Sequence, residues 1–237
     1  KINFTQLERY GKRCEQCYRQ TFTKDFDWIG YNMELMNTLF EKNDRKAIAI
    51  DPSYISKSGK HTPWIGYFWS GSAGQAKRGL EILGVGVIDI DKRDCVILKA
   101  EQTPDTITLD QEGCSLIDWY LKVLERTKDR LLEVSNYVVA DAYFSKATFA
   151  QGLDSMGFHL VSRLRDDANL MYIHDGQPTG KRGRPKVHGD KIEFTHLDYN
   201  KMQEIGTSIE DGKLYTLIAY SQAMKRKIRL VIWINKK

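Results

Sequence analysis

Two aspartates stand where strand-like segments end. Asp51 closes the short apolar run Ala47-Ile48-Ala49-Ile50, and Asp141 closes a second one, Tyr137-Val138-Val139-Ala140. If the two strands lie side by side and parallel, both carboxylates emerge at one edge of the sheet, where open α/β sheets hold their ligands. Like charges brought together repel unless a cation lies between them, and hard carboxylate oxygens suit Mg²⁺ or Mn²⁺. Such a pair is half of a two-metal phosphoryl-transfer site. A strand-end Asp taken alone is usually a turn former or a helix cap, and Asp51 before Pro52 makes a good turn by itself. The weight therefore rests on the pair and on the order of the elements around it.

Cations are placed to meet the phosphates that such a site would process. Lys181-Arg182-Gly183-Arg184-Pro185-Lys186 puts four of them into six residues around a Gly and a Pro, a strip that can follow a phosphate backbone or lie in a narrow minor groove. Four phosphate contacts correspond to a log-log salt slope of about −3.6. Arg163 and Arg165 alternate on a predicted strand, Phe158 to Leu164 and its exit, so both are expected on one side near the second acid. Lys57, Lys60 and His61 follow the first acid, where substrate phosphates would lie. The formal net charge is +5, and residues 160–237 hold 15 Lys/Arg against 9 Asp/Glu, so the positive excess is confined to the last third. That asymmetry points to a polyanionic partner such as nucleic acid, although solvated lysines also serve solubility. Trp64, Tyr67, Phe68 and Trp69 are candidates for stacking on an extruded base, with the core as the ordinary alternative. Cys14 and Cys17 form a C-x-x-C, which invites a zinc or a redox reading; no second pair with ligand spacing follows, since Cys95 and Cys114 are isolated.

The elements that must position these residues can be read from pattern. Residues 4–45 carry Leu35, Met36, Leu39 and Phe40 at helical separations and are expected to be helical. The strand at 47–50 is expected to stop at Pro52, which lacks an amide hydrogen, and the Ser/Gly/Lys-rich stretch 53–82 is expected to be loop and irregular strand. Residues 83–90 and 95–100 read as an antiparallel hairpin around Asp91-Lys92-Arg93-Asp94. Ile117, Tyr120, Leu121, Leu124, Leu131 and Leu132 predict one long helix between Ser115 and Val134, opened by a capping box of Ser115 with Asp118. Ser145 is expected to cap a further helix ending at Gly157, weakened by Gly152. Beyond residue 166, segments 214–220 and 228–234 read as strands of a β insertion.

At 237 residues the chain can bury a sizeable core, and 41% hydrophobic with 28% charged residues excludes disorder and a membrane protein as whole-chain descriptions. No apolar run approaches the roughly 18 residues that span a bilayer. Residues 1–11 carry no apolar stretch of the signal-peptide kind, and four cysteines without a framework of short spacings suit a reducing compartment, so the cytoplasm is expected.

In their order, Ala47-Ile48-Ala49-Ile50-Asp51-Pro52-Ser53, the Ser/Gly/Lys loop, Val138-Val139-Ala140-Asp141-Ala142-Tyr143-Phe144, Ser162-Arg163-Leu164-Arg165 and the 181–186 segment together resemble the DDE transposases of IS4-type insertion sequences. The resemblance covers roughly residues 46–234. It implies an α/β fold: an RNase H-like mixed sheet with flanking helices over 46–165, a β-rich basic insertion over 166–237 and a helical segment over 1–45. It further implies that Asp51 and Asp141 are the first two acids of a metal-binding triad, with Mg²⁺ or Mn²⁺ as cofactor. The implied partners are transposon-end and target DNA, cut and joined by a homodimer. The family's third acid is a Glu following the insertion, in the pattern Tyr, two residues, Arg, three residues, Glu, with a Lys six residues on. No Tyr from Tyr10 to Tyr220 begins such a pattern, and Glu193, Glu204 and Glu210 lie in the insertion. The expectation is a truncated chain whose third acid lies past residue 237. The alternative is a catalytically incomplete remnant that binds DNA.

Overall fold

Strand β1 (Lys46–Ser56) organises the first sheet. The computed structural model describes residues 3–59, 61–165, 167–174, 176, 188–207 and 212–234. β1 pairs along its whole length, antiparallel, with the 15-residue β3 (Gln75–Asp89). β3 also carries β2 (Gly66–Ser70) and β4 (Asp94–Gln102) as antiparallel neighbours. On the other side of β1, β5 (Tyr137–Ala140) runs parallel to it, followed by β6 (His159–Ser162), parallel to β5. The result is a mixed six-stranded sheet in the order β2-β3-β1-β5-β6, with β4 also on β3.

Two sequence expectations fail here. β1 does not stop at Pro52: β5 pairs only with Ile48 and Ala49, so from Asp51 onward one edge of β1 is open and a missing amide is tolerated there. The stretch 53–82 is not mainly loop, because β1, β2 and the first half of β3 form a long antiparallel extension through it. Gln75, Lys77 and Arg78 are polar and, with Ala76, exposed on that arm, which is why hydrophobic alternation does not mark it.

One face of the sheet is covered by helices. α3 (Trp28–Leu39) packs by β4, with Asn32 Nδ2 donating to Leu98 O at 3.0 Å, and buries Met36. α1 (Phe4–Tyr10) and α2 (Glu15–Phe22) precede it and bury nothing. After β4 come α4 (Thr106–Gln111), capped by Asp105, and α5 (Leu116–Glu125), opened by the predicted Ser115–Asp118 capping box. The expected single helix breaks at Arg126-Thr127, and α6 (Lys128–Leu132) continues after it. Ile117, Tyr120, Val123 and Leu124 of α5 share one buried core with Ile48, Ile50, Leu83, Val85, Val87 and Val138 of the sheet, each full burial contributing about 1.5–3 kcal/mol.

α7 (Ala147–Ser155) lies between β5 and β6 in the chain and is stopped by Gly157 (φ 90°); its N-cap position is Lys146, which makes no side-chain capping bond, rather than Ser145. Gly152 has a packing reason, since a Cβ there would come within 2.5 Å of Leu121 Cδ1 on α5. The opposite sheet face is open to solvent: Ile55, Ile97 and Val161 alternate with core residues on their strands and are about half exposed.

The C-terminal third builds a second, wholly antiparallel sheet from β7 (Leu170–Ile173), β8 (His188–Lys191), β9 (Gln203–Thr207), β10 (Lys213–Ser221) and β11 (Arg226–Ile234), in the order β11-β10-β7-β8 with β9 on β10. It has its own small core of Leu170, Tyr172, Ile192, Leu217, Ala219 and Leu230. An ion pair between Arg226 and Asp154 of α7 ties it to the first sheet. Among the described residues no helix is long and apolar enough to cross a membrane.

Candidate active site

The parallel register of β1 and β5 decides where the aspartates go. Ile48 faces Val138 and Ala49 faces Val139, so the continuation of the two strands sets Asp51 level with Asp141. Alternation assigns them to one face: Ile48 and Val138 point into the core, and Asp51 and Asp141 are odd-numbered steps away, on the open side. β6 extends the row, because Val139 faces Val161 and the next same-face positions are Asp141 and Arg163. The register thus sets Asp51, midway along β1, level with Asp141 just past the end of β5 and with Arg163 just past the end of β6.

Both acids are oriented by hydrogen bonds. Asp51 Oδ2 accepts from Ser53 Oγ at 3.4 Å. Asp141 Oδ1 accepts from the Tyr143 amide at 3.0 Å, capping a 3₁₀ turn, Ala142–Phe144. The Asp141 carbonyl accepts from Ser162 Oγ at 2.9 Å, and Ser162 Oγ shares a 2.7 Å hydrogen bond with Ser145 Oγ. Ser145 therefore fixes the loop carrying the second acid instead of capping α7. Partial burial pushes the Asp51 carboxyl above its ordinary value, and the charge of Asp141 adds to that push, whereas the bond from Ser53 opposes it. The sequence's inference that the two carboxylates converge corresponds to this mutual repulsion. The residue opposite Asp51 on β3 is Gly84, so no side chain stands beside the acid there.

Behind the row lies a group that hydrophobic patterning passes over. Glu81 on β3 is buried and accepts from Tyr120 Oη at 2.6 Å. Burial, followed by the charge and hydrogen bond of Glu81, raises the Tyr120 phenol far above its usual range, with a further contribution from Asp141. Burial likewise raises Tyr143, with Glu81 and Asp141 adding to it. Lys146 Nζ sits 3.5 Å from the centre of the Tyr143 ring, and burial lowers its ammonium while Asp141 opposes the change. The signal for Glu81 was available in Glu81, Leu83, Val85 and Val87, a charge at a position whose period-2 partners are all apolar; nothing in the linear sequence marked Lys146.

The predicted cations divide. Lys57 is exposed just beyond β1, and Lys60, Lys181, Arg182, Arg184 and Lys186 lie outside the described residues. Arg163 and Arg165 are exposed, but β6 ends at Ser162, so both belong to the segment leaving the strand and not to the strand itself. They line an open groove of about 1480 Å³ between β6 and β11, whose far wall carries Lys227 and Arg229. Those two alternate on β11 and face one side, a cationic pair that strand patterning alone does not single out. Of the aromatic cluster, Phe68 is core, while Tyr67 and Trp69 are largely exposed and Trp64 is about two-fifths exposed.

A family model described as DDE superfamily endonuclease matches residues 15–211, a span that holds Asp51, Asp141, the whole of the first sheet and strands β7 to β9 of the second. The chain belongs to this family. The DDE superfamily endonuclease assignment agrees with the mixed α/β sheet and carries a nuclease-type activity on DNA, in a superfamily that generally uses divalent metal ions. No curated protein matches the chain. As donors, the two carboxylates suit such an ion: both are hard oxygen ligands, each retains an oxygen without a hydrogen bond from the described residues, and their repulsion favours a cation between them. Among the described residues no group of three or more His, Cys, Asp or Glu side chains joins at one point.

Proposed function

We propose that this chain is the catalytic core of a DDE-type transposase of the IS4 kind, cutting and joining transposon-end DNA with Asp51 and Asp141 as ligands for Mg²⁺ or Mn²⁺. The observation that carries the reading is the shared register and face of the two acids on parallel β1 and β5. A divalent ion held there supplies activation of a water or 3′ hydroxyl and stabilisation of the departing oxygen of an in-line displacement. The chain's own part is positional. Ser53 and the Tyr143 amide hold one oxygen of each acid, leaving the others to the ion. Ser145 and Ser162 fix the backbone of Asp141. Arg163 and Lys146 flank the row with positive charge for the phosphodiester, and Gly84 leaves room for the strand. DNA beyond the reacting phosphate runs along the groove between Arg163 and Arg165 on one wall and Lys227 and Arg229 on the other, with the basic segment 181–186 adding further contacts. Action as a homodimer on paired ends belongs to the same proposal.

The presence of only two assembled carboxylates among the described residues favours a second reading, a DNA-binding protein of this family without turnover. One assay separates them. Mg²⁺-dependent nicking of duplex DNA by the chain, abolished in Asp51→Ala and Asp141→Ala with DNA binding retained, supports the enzyme. Salt-sensitive binding with no nicking in any variant supports the second reading.

A further inference from the structure

The N-terminal hairpin holds a reactive pair that the phosphoryl-transfer site does not use. α1 and α2 pack on each other through Phe4 and Phe22, whose rings meet edge to face at 5.0 Å, and bury no residue. Cys14 is the N-cap of α2, and Cys17 lies in its first turn. Their sulfurs are 3.1 Å apart, within hydrogen-bond reach. Closing a disulfide requires about 2.05 Å, so roughly one ångström of approach suffices. Both are accessible, Cys14 exposed and Cys17 partly so, whereas Cys114 is buried.

The chemistry of the two sulfurs differs in a useful direction. The contact between the two sulfurs, helped by the Cys17 amide, holds the Cys14 thiol below the ordinary cysteine value, and the same contact raises Cys17. Cys95, the other exposed cysteine, is pushed up by burial and by the neighbouring Asp94. A zinc site needs four ligands, and none beyond these two sulfurs assembles among the described residues.

We propose that Cys14 and Cys17 form a dithiol that exchanges with low-molecular-weight disulfides of the glutathione class, Cys14 as the attacking and Cys17 as the resolving sulfur. The Cys14 thiolate attacks one sulfur of the small disulfide, forming a mixed disulfide and releasing one small thiolate. Cys17 loses its proton to solvent and attacks Cys14 Sγ, closing the protein disulfide and releasing the second thiolate. Two protein thiols are oxidised and one small disulfide is reduced to two thiols, so no other oxidant is required.

The test is differential alkylation with mass spectrometry on the full chain treated with oxidised glutathione. The expected result is loss of alkylation at Cys14 and Cys17 together, without retained glutathione, at a rate about tenfold or more above modification of Cys95. Cys17→Ser should trap glutathione on Cys14, and Cys14→Ser should leave Cys17 modified about tenfold more slowly than the pair in the unsubstituted chain. Oxidation of Cys14 no faster than Cys95 would overturn the proposal. So would equal reactivity of Cys17 in Cys14→Ser, or stoichiometric zinc on the purified chain that is lost in either variant. The exposed positions make serine a mild change, and the first measurement needs no variant at all.

Discussion

At Asp51 the demands of stability and of the proposed metal binding oppose each other. Its carboxyl is raised in the folded chain by burial and by Asp141, so the native state binds a proton more readily than the unfolded state does. Stability then falls as pH rises from the ordinary carboxylate value of about 3.9 through the raised one. Asp51→Asn removes that penalty: without metal its melting temperature at neutral pH should rise by about 1–2 °C, a small effect because the group is partly exposed and screened. On the proposed function Mg²⁺ or Mn²⁺ should raise the melting temperature of the unsubstituted chain, and the same variant should lose that rise; calorimetry with and without the ion reads both effects. Tyr120→Phe works in the other direction. It leaves the buried Glu81 carboxylate without its 2.6 Å partner and should cost about 1–3 kcal/mol in denaturant unfolding. Lys146 is the residue at which charge and structure can be separated: Lys146→Arg should keep most of the cleavage and Lys146→Ala lose about tenfold of it, a change of ~1.4 kcal/mol in the barrier.

At the scale of elements, strand pairing accounts for both what could be read in advance and what could not. Asp51 and Asp141 were legible because each follows an apolar run buried on the helix side, and buried strands announce themselves by composition. The capping box of α5 and the glycine stop of α7 were legible because both are local. The passage of β1 through Pro52 was not, since it depends on which edge β5 leaves open, and that is a long-range fact. The break at Arg126-Thr127 was hidden by leucines that continue the apolar spacing on both sides of it. Gly84 shows how pairing shapes the site: it lies directly across from Asp51, and a Cβ there would meet only the Asp51 carbonyl, at an ordinary 3.5 Å. Gly84→Val should therefore fold, with a stability change within about 1 kcal/mol on a scale where Val suits strands. Its side chain would stand beside the acid and should slow DNA cleavage about tenfold or more, ~1.4 kcal/mol in the barrier, in a single-turnover assay.

For the molecule as a whole, the proposed function puts chemistry and grip on different sheets. The acids belong to the first sheet, whereas Lys227 and Arg229 belong to the second and line, with Arg163, the groove between β6 and β11. Such a division predicts that binding and turnover can be removed independently. Arg163→Ala, Lys227→Ala and Arg229→Ala together should weaken binding of duplex DNA at every ionic strength tested. They should also flatten the log-log salt slope by about 2.7, since each phosphate contact contributes about 0.9. Asp51→Asn should leave that slope unchanged while abolishing cleavage. Fluorescence anisotropy across a salt series, in chelator so that no strand is cut, measures the first effect without the second. A triple variant with an unaltered slope would move the DNA path away from this groove and onto the 181–186 segment, whose four cations would then carry the contacts by themselves.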